Sequence, residues 1–222
     1  MRVTGRTQIP DFLAPGSARA LRDELRRTDA WHHVISSRDK IFESSTEDYD
    51  RLRPDTREAL ERAMNVQAST GFHFQFDNIR VDDAVYRDAF ADDNLVAFAQ
   101  FMNGAAVQES LVRLCDNESV NFVDVQATRY RAGDFLTRHD DGVEGKHRIA
   151  AFVLGLVDEW RAEWGGLLMF LGPEGRVTEA FVPEFNTLSV FMVGQSHFVS
   201  PVASYAGEAR LALTGWLRPE PG

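Results

Sequence analysis

Apolar positions along the chain change their period near residues 117–119. Before that point the spacing is mostly helical. Ile9-Pro10-Asp11-Phe12-Leu13 reads as a short strand, and Pro15 then sits where a helix can begin, with Leu21 and Leu25 four apart on one face. Trp31 to Phe42 predicts a strand and a turn. Asp55 or Thr56 caps a predicted helix carrying Leu60, Ala63, Met64 and Ala68. Phe72, Phe74 and Phe76 alternate with His73 and Gln75, the two-residue period of a strand. Helices are predicted over about 93–103 and 105–115, divided by Asn103-Gly104.

After residue 119 the pattern turns to strands. Val120–Tyr130, Arg148–Val157, Gly166–Leu171, Arg176–Val182, Thr187–Val193, His197–Val202 and Arg210–Leu217 each qualify, punctuated by Pro, Gly, Asp and Asn. Helices followed by a run of strands predict an α+β fold: a double-stranded β-helix core (jelly-roll, cupin-like) braced by N-terminal helices. Residues 1–118 are expected to pack on a core formed by 119–222, the whole making one integrated domain.

Composition narrows the class. The 222 residues are 44% hydrophobic and 11% aromatic, enough for a sizeable core, and carry a net charge of -10. That charge argues against a nucleic-acid or anionic-membrane surface and leaves a basic peptide or protein as a partner. Cys115 stands alone, so no intrachain disulfide forms and a reducing cytoplasm is expected. The start, MRVTGRTQIPDFL, lacks the apolar core of a signal peptide, and no apolar run approaches the roughly 20 residues of a membrane span.

The candidate chemistry lies in His139-Asp140-Asp141, with His197 and Arg210 far downstream. Two imidazoles and one carboxylate are the ligand set that holds non-haem Fe(II) while leaving coordination positions open. An isolated His-x-Asp arises often by chance; a late histidine where one strand breaks and another starts strengthens the reading. Asp140 competes with Asp141 as the carboxylate. Alternation along an extended segment puts His139 and Asp141 on one side, which favours Asp141. His32, His33, His73 and His147 lack a matching carboxylate and read as surface or hydrogen-bonded residues. Arg210 shares a strand face with Ala212, Thr214 and Trp216. An inward arginine needs a carboxylate, which a 2-oxo acid chelating the same metal would supply. Tyr130 could donate its phenol to that carboxylate or serve only in packing, and Thr214 is a further candidate helper.

Taken together, YRAGDFLTRHDDG, WGGLLMFLGPEG and HFVSPVASYAGEARLALTGWL resemble the 2-oxoglutarate and Fe(II)-dependent oxygenases. More narrowly they resemble the prolyl 4-hydroxylase group, in the branch that includes the eukaryotic hydroxylases of a ribosomal-protein proline. The resemblance covers roughly residues 120–218. It implies His139, Asp141 and His197 as iron ligands, Arg210 and Tyr130 as contacts to 2-oxoglutarate, and a match for the Gly165-Gly166 pair. It also implies O2 as cosubstrate, L-ascorbate as an accessory, and a peptidyl proline as target. A free amino acid or metabolite is the alternative substrate, and a non-catalytic metal-binding barrel the third reading. Trp164, Trp216 and the acidic loop at Glu144 are candidates for the substrate mouth, where an acidic rim would suit a basic target. Two departures stand out. The stretch from His197 to Arg210 is longer than in that branch, implying a small loop or bulge, and Phe152 replaces a frequent tyrosine. The second, non-catalytic barrel of the eukaryotic members is not expected in this chain.

Overall fold

A computed structural model describes residues 1, 4–37, 40–81 and 93–220. Helix α1 (Pro15–Arg27) starts with its proline in the first turn, where the missing N–H costs nothing. It buries Ala18, Leu21 and Leu25 along one stripe. The strand expected at Ile9–Leu13 lies earlier, as β1 (Arg6–Ile9). Pro10 cannot donate to a ladder, and Leu13 N–H instead bonds the Asn186 side chain at 2.9 Å. Where a strand and a turn are expected, strands β2 (His32–Ser37) and β3 (Lys40–Ser45) pair antiparallel, with 38–39 outside the described residues. A short helix α2 (Thr46–Asp50) follows. Helix α3 (Pro54–Ala68) is capped at Arg53 rather than at Asp55 or Thr56, because Pro54 again takes the first helical position. Of its predicted stripe only Met64 is fully buried. Strand β4 (Phe74–Arg80) precedes α4 (Asn94–Met102) and α5 (Ala105–Cys115), which fall where the sequence predicts them. The Asp93 carboxylate caps α4 by accepting from Val96 N–H at 2.9 Å.

The remaining strands are β5 (Phe122–Val123), β6 (Gln126–Tyr130), β7 (Phe135–His139), β8 (Ala150–Gly155), β9 (Leu168–Leu171), β10 (Val177–Phe181), β11 (Leu188–Met192), β12 (His197–Val199) and β13 (Arg210–Arg218). The described strands form one curled antiparallel sheet in the order β1-β11-β8-β13-β6-β4-β7-β12-β9-β10, with β2–β3 on β4 and β5 on β13. This is the jelly-roll arrangement. The N-terminal half supplies strands to it, since β4 lies between β6 and β7, and β1 pairs with β11.

Strand β13 shows how two faces arise from one sequence. Leu211, Leu213 and Leu217 join the core beneath the helices, packed with Leu21, Leu25, Leu95, Phe98 and Met102. Each such buried leucine contributes about 1.5–3 kcal/mol. The alternate residues Arg210, Thr214 and Trp216 face the cavity enclosed by the sheet.

Behind one cavity wall lies a buried charged cluster. The fully buried Asp77 carboxylate accepts from Arg129 Nε at 2.8 Å, lies 2.7 Å from His33 Nδ1 and 3.1 Å from Arg131 Nε. Burial alone would raise Asp77, but the His33 hydrogen bond and the charges of Arg131 and Arg129 hold it below its ordinary range. Its stabilising contribution is therefore present above the unfolded carboxylate range and lost as pH falls through the folded value. Asp134 behaves oppositely. Burial pushes its carboxyl up to about 7, with Asp77 adding to the rise, against hydrogen bonds from Arg131 N–H and Gln75. Stability therefore declines as pH climbs from about 4, the unfolded value, toward about 7, the folded one. Asp134→Asn should remove this slope. Urea denaturation at about pH 8 is expected to show the variant more stable than the parent, by on the order of 1–3 kcal/mol, with the gap closing near pH 4. An equal gap at both pH values would contradict the assignment.

Candidate active site

Antiparallel pairing of β7 with β12 puts His197 directly opposite His139. The two rings, remote in sequence, stand 4.1 Å apart between centroids. His139 is the last residue of a strand and not part of the turn that follows. Beyond it the Asp140 side chain accepts from Gly142 N–H at 3.0 Å, and its carbonyl accepts from Gly194 N–H at 2.9 Å. Asp141 adopts a left-handed backbone, φ 64°, which aspartate tolerates better than most residues. So Asp141 faces inward through a turn, not through the simple strand alternation expected from the sequence. Its carboxylate oxygens lie 3.6 Å from His139 Nε2 and 3.3 Å from His197 Nε2. One ligand atom from each of the three residues lies within 4.8 Å of the others.

Hydrogen bonds select the tautomer. His139 Nδ1 donates to Thr137 O at 2.9 Å and His197 Nδ1 to Gln195 O at 2.8 Å, so both Nε2 lone pairs point toward Asp141. Burial lowers the His139 pKa, and the neighbouring His197 lowers it further. Burial works to raise Asp141, yet the adjacent His197 and then His139 hold it below the ordinary carboxylate range. Two imidazole nitrogens beside an ionised carboxylate fit a small divalent cation.

The same cavity, about 570 Å³, contains a second unusual feature. Arg210 is 3% exposed, and no carboxylate pairs with it among the described residues. Its Nε has no hydrogen-bond partner, and neither does the buried Thr214 hydroxyl. Tyr130, opposite Arg210 across β6 and β13, places its ring 5.1 Å from the guanidinium. Burial raises the Tyr130 pKa strongly, keeping the phenol protonated as a donor. A buried cation without a counter-charge is costly, so the site fits an anionic ligand.

The other sequence candidates separate. Trp216 lines the cavity, with the Arg148 guanidinium 3.5 Å from its ring centroid. Trp164 does not; it sits in a 3-10 turn, edge-on to Trp160 at 5.3 Å and against Gly207. Glu144 is exposed in the loop after Asp141 and is likewise no part of the lining. Among the described residues, the charged side chains of the lining are Arg80, Arg148, Arg210, Asp140 and Asp141. Arg148 and the row Phe72, Phe74, Phe76 are lining residues that sequence reasoning did not assign to the site. The strand alternation of the phenylalanines was visible, but which face is inward depends on β4 pairing with β6 and β7. Between β12 and β13 the chain makes the expected loop, bridging Val202 to Gly165. A side chain at Gly165 would strike Pro201 O, since its Cβ would lie only 2.0 Å away.

A jelly-roll sheet thus holds two imidazoles, a carboxylate and a buried arginine around one cavity, a donor set suited to a divalent metal with an anionic ligand beside it. Residues 125–218 match the model of the 2OG-Fe(II) oxygenase superfamily. The chain is similar to the prolyl 3-hydroxylase OGFOD1 of Xenopus laevis, 39% identical over 101 residues, covering 42% of this chain and 19% of that protein. Prolyl 3-hydroxylase sudestada1 of Drosophila melanogaster is 31% identical over 113 residues, covering 45% and 20%. The matched stretch is thus about a fifth of those relatives. A crystal structure of a Pseudomonas putida prolyl-4-hydroxylase superposes with a TM-score of 0.57 at 26% identity, covering 99% of this chain and 95% of that one.

Proposed function

We propose that this protein is an Fe(II)- and 2-oxoglutarate-dependent dioxygenase that hydroxylates a peptidyl proline. The observation that carries the reading is Arg210, a buried cation lacking a counter-charge among the described residues, in the cavity that also holds His139, Asp141 and His197. The three would hold iron through His139 Nε2, His197 Nε2 and an Asp141 oxygen, and Arg210, with Tyr130 and Thr214, would hold the far carboxylate of 2-oxoglutarate. When bound, the iron couples decarboxylation of 2-oxoglutarate by O2, giving succinate and CO2, to insertion of the second oxygen atom into a C–H bond. The chain's own work is to bind, orient and exclude water. Tyr130 stays a neutral donor, and the Phe72, Phe74 and Phe76 rings, 5.7 and 5.3 Å apart in sequence order, offer an apolar wall to the target residue. L-ascorbate would act as a reductant from solution.

The lining also separates a peptide from a free amino acid. An α-ammonium would need an acceptor carboxylate; among the described lining residues Asp141 belongs to the triad, and the exposed Asp140 already accepts from Gly142 N–H on one oxygen. Arg148 lies nearby and would repel it, whereas Arg80 is paired with Glu43 at 2.7 Å. A residue within a peptide, whose amide is neutral, meets no such cost. The same arginines give no preference for a basic target. No helix among the described residues is long and apolar enough to cross a membrane. The buried Cys115, the chain's single cysteine, suits a reducing compartment.

The test is to incubate the protein with Fe(II), 2-oxoglutarate and either proline-containing peptides blocked at both ends or free proline, lysine and arginine. Succinate release coupled to the gain of one oxygen atom is expected with a blocked peptide alone. Coupling to a free amino acid, with none to any peptide, would overturn the substrate assignment.

A further inference from the structure

The carbonyls that aim the two imidazoles belong to Thr137 and Gln195, neither of which lines the cavity. Their side chains reach the other way, into the N-terminal half. Thr137 Oγ1 donates to Gly71 O at 3.2 Å and accepts from His73 N–H at 2.8 Å, while Thr137 N–H donates to His73 O at 2.9 Å. Gln195 does the same work for the other histidine. Its Nε2 donates to Gly5 O at 2.8 Å and to Met192 O at 3.3 Å, and its Oε1 accepts from Arg6 NH1 at 2.7 Å. Gly5 has a left-handed backbone, φ 72°, and a Cβ there would lie 2.9 Å from Gln195 Nε2. Arg6 in turn stacks 4.3 Å over Phe170, a neighbour of the His197 ring.

The ladder alone fixes these carbonyls poorly. Gln195 lies in the turn before β12, and the β7–β12 register shifts between His197 and Val199. A carbonyl free to swing would release its Nδ1–H, and the ring could then rotate its Nε2 away from the metal. We propose that Thr137 and Gln195 are positioning residues for the metal-facing imidazoles, and that the segments they grip, Gly5–Arg6 and Gly71–His73, are working parts of the metal site. This rests on the triad binding a metal. Outer-shell partners of metal-ligating histidines are typically worth about 10–100-fold in affinity.

The experiment is a Co(II) titration of the full chain without 2-oxoglutarate, followed by ligand-field absorption, with circular dichroism as the fold control. Gln195→Leu and Thr137→Val should each weaken Co(II) binding about tenfold and alter the visible band. Thr137→Ser, which keeps the hydroxyl, should bind as the parent does. Gly5→Ala, which crowds the Gln195 amide from outside the cavity, should mimic Gln195→Leu and carries the test if that variant fails to fold. A purely structural role would lower the melting temperature without moving the band, and that result would overturn the proposal. Parental affinity and spectrum in both Gln195→Leu and Thr137→Val would also overturn it, leaving the metal reading intact. Failure of the parent itself to take up Co(II) would overturn both.

Discussion

Arg210→Met is expected to raise the melting temperature of the ligand-free protein while removing its hold on 2-oxoglutarate. The two effects have one cause. In the free protein the guanidinium is desolvated, its Nε is unbonded, and burial lowers its pKa, opposed only by Tyr130. An unpaired buried charge destabilises the fold, and replacement by an apolar side chain of similar length relieves that cost. A gain of 1 kcal/mol corresponds to roughly 2–4 °C in a chain of this size. With ligand present the sign reverses, because a dicarboxylate would lose the buried counter-charge that Arg210 supplies. Losing one partner of a buried, hydrogen-bonded charge pair costs about 2–5 kcal/mol, or roughly 30-fold and upward in affinity. Arg210→Lys should fall between, since an ammonium supplies charge without the planar fork. Calorimetric melting with and without 2-oxoglutarate measures both effects. A lowered melting temperature together with undiminished ligand binding would show that Arg210 is structural.

The second large effect is expected at Asp141. Asp141→Asn removes the only anionic ligand yet keeps side-chain size, and asparagine tolerates the left-handed backbone at φ 64°. The turn made by Asp140 and Gly142 should therefore survive, and with it the fold. Metal affinity should not survive, because neutral imidazoles alone do not offset the charge of a divalent cation. A fall of more than about 100-fold is expected, beyond the usual range for outer-shell substitutions. Succinate production should vanish with it. Asp140→Asn is the matched control, since Asp140 caps Gly142 and lies outside the triad. If Asp140→Asn abolished turnover and Asp141→Asn spared it, the carboxylate would have been chosen wrongly.

Much of this was legible in the residues themselves. Asn103-Gly104 divides two helices as expected, because glycine ends one apolar period before another begins. The alternation from Arg210 to Leu217 separated core leucines from cavity residues, since a strand exposes its two faces in strict turn. What the chain does not display locally is pairing. His139 meets His197 through the register of β7 on β12, and Phe74 and Phe76 face inward because β4 lies between β6 and β7. Arg148 enters the site only once Trp216 is in place beneath it. Trp164 misleads for the opposite reason: a tryptophan beside Gly165-Gly166 looks poised at a mouth, yet its 3-10 turn directs it to Trp160 and Gly207. Asp141 reached the inner side as reasoned, but by a positive φ that alternation does not describe.

The most direct measurement is a crystal structure of the protein grown anaerobically with Fe(II) and 2-oxoglutarate. A single ion bonded to His139 Nε2, His197 Nε2 and an Asp141 oxygen, with the distal carboxylate of 2-oxoglutarate on Arg210, is the expected result. An ion bound elsewhere, or a cosubstrate seated away from Arg210 in crystals soaked to saturation, would contradict it.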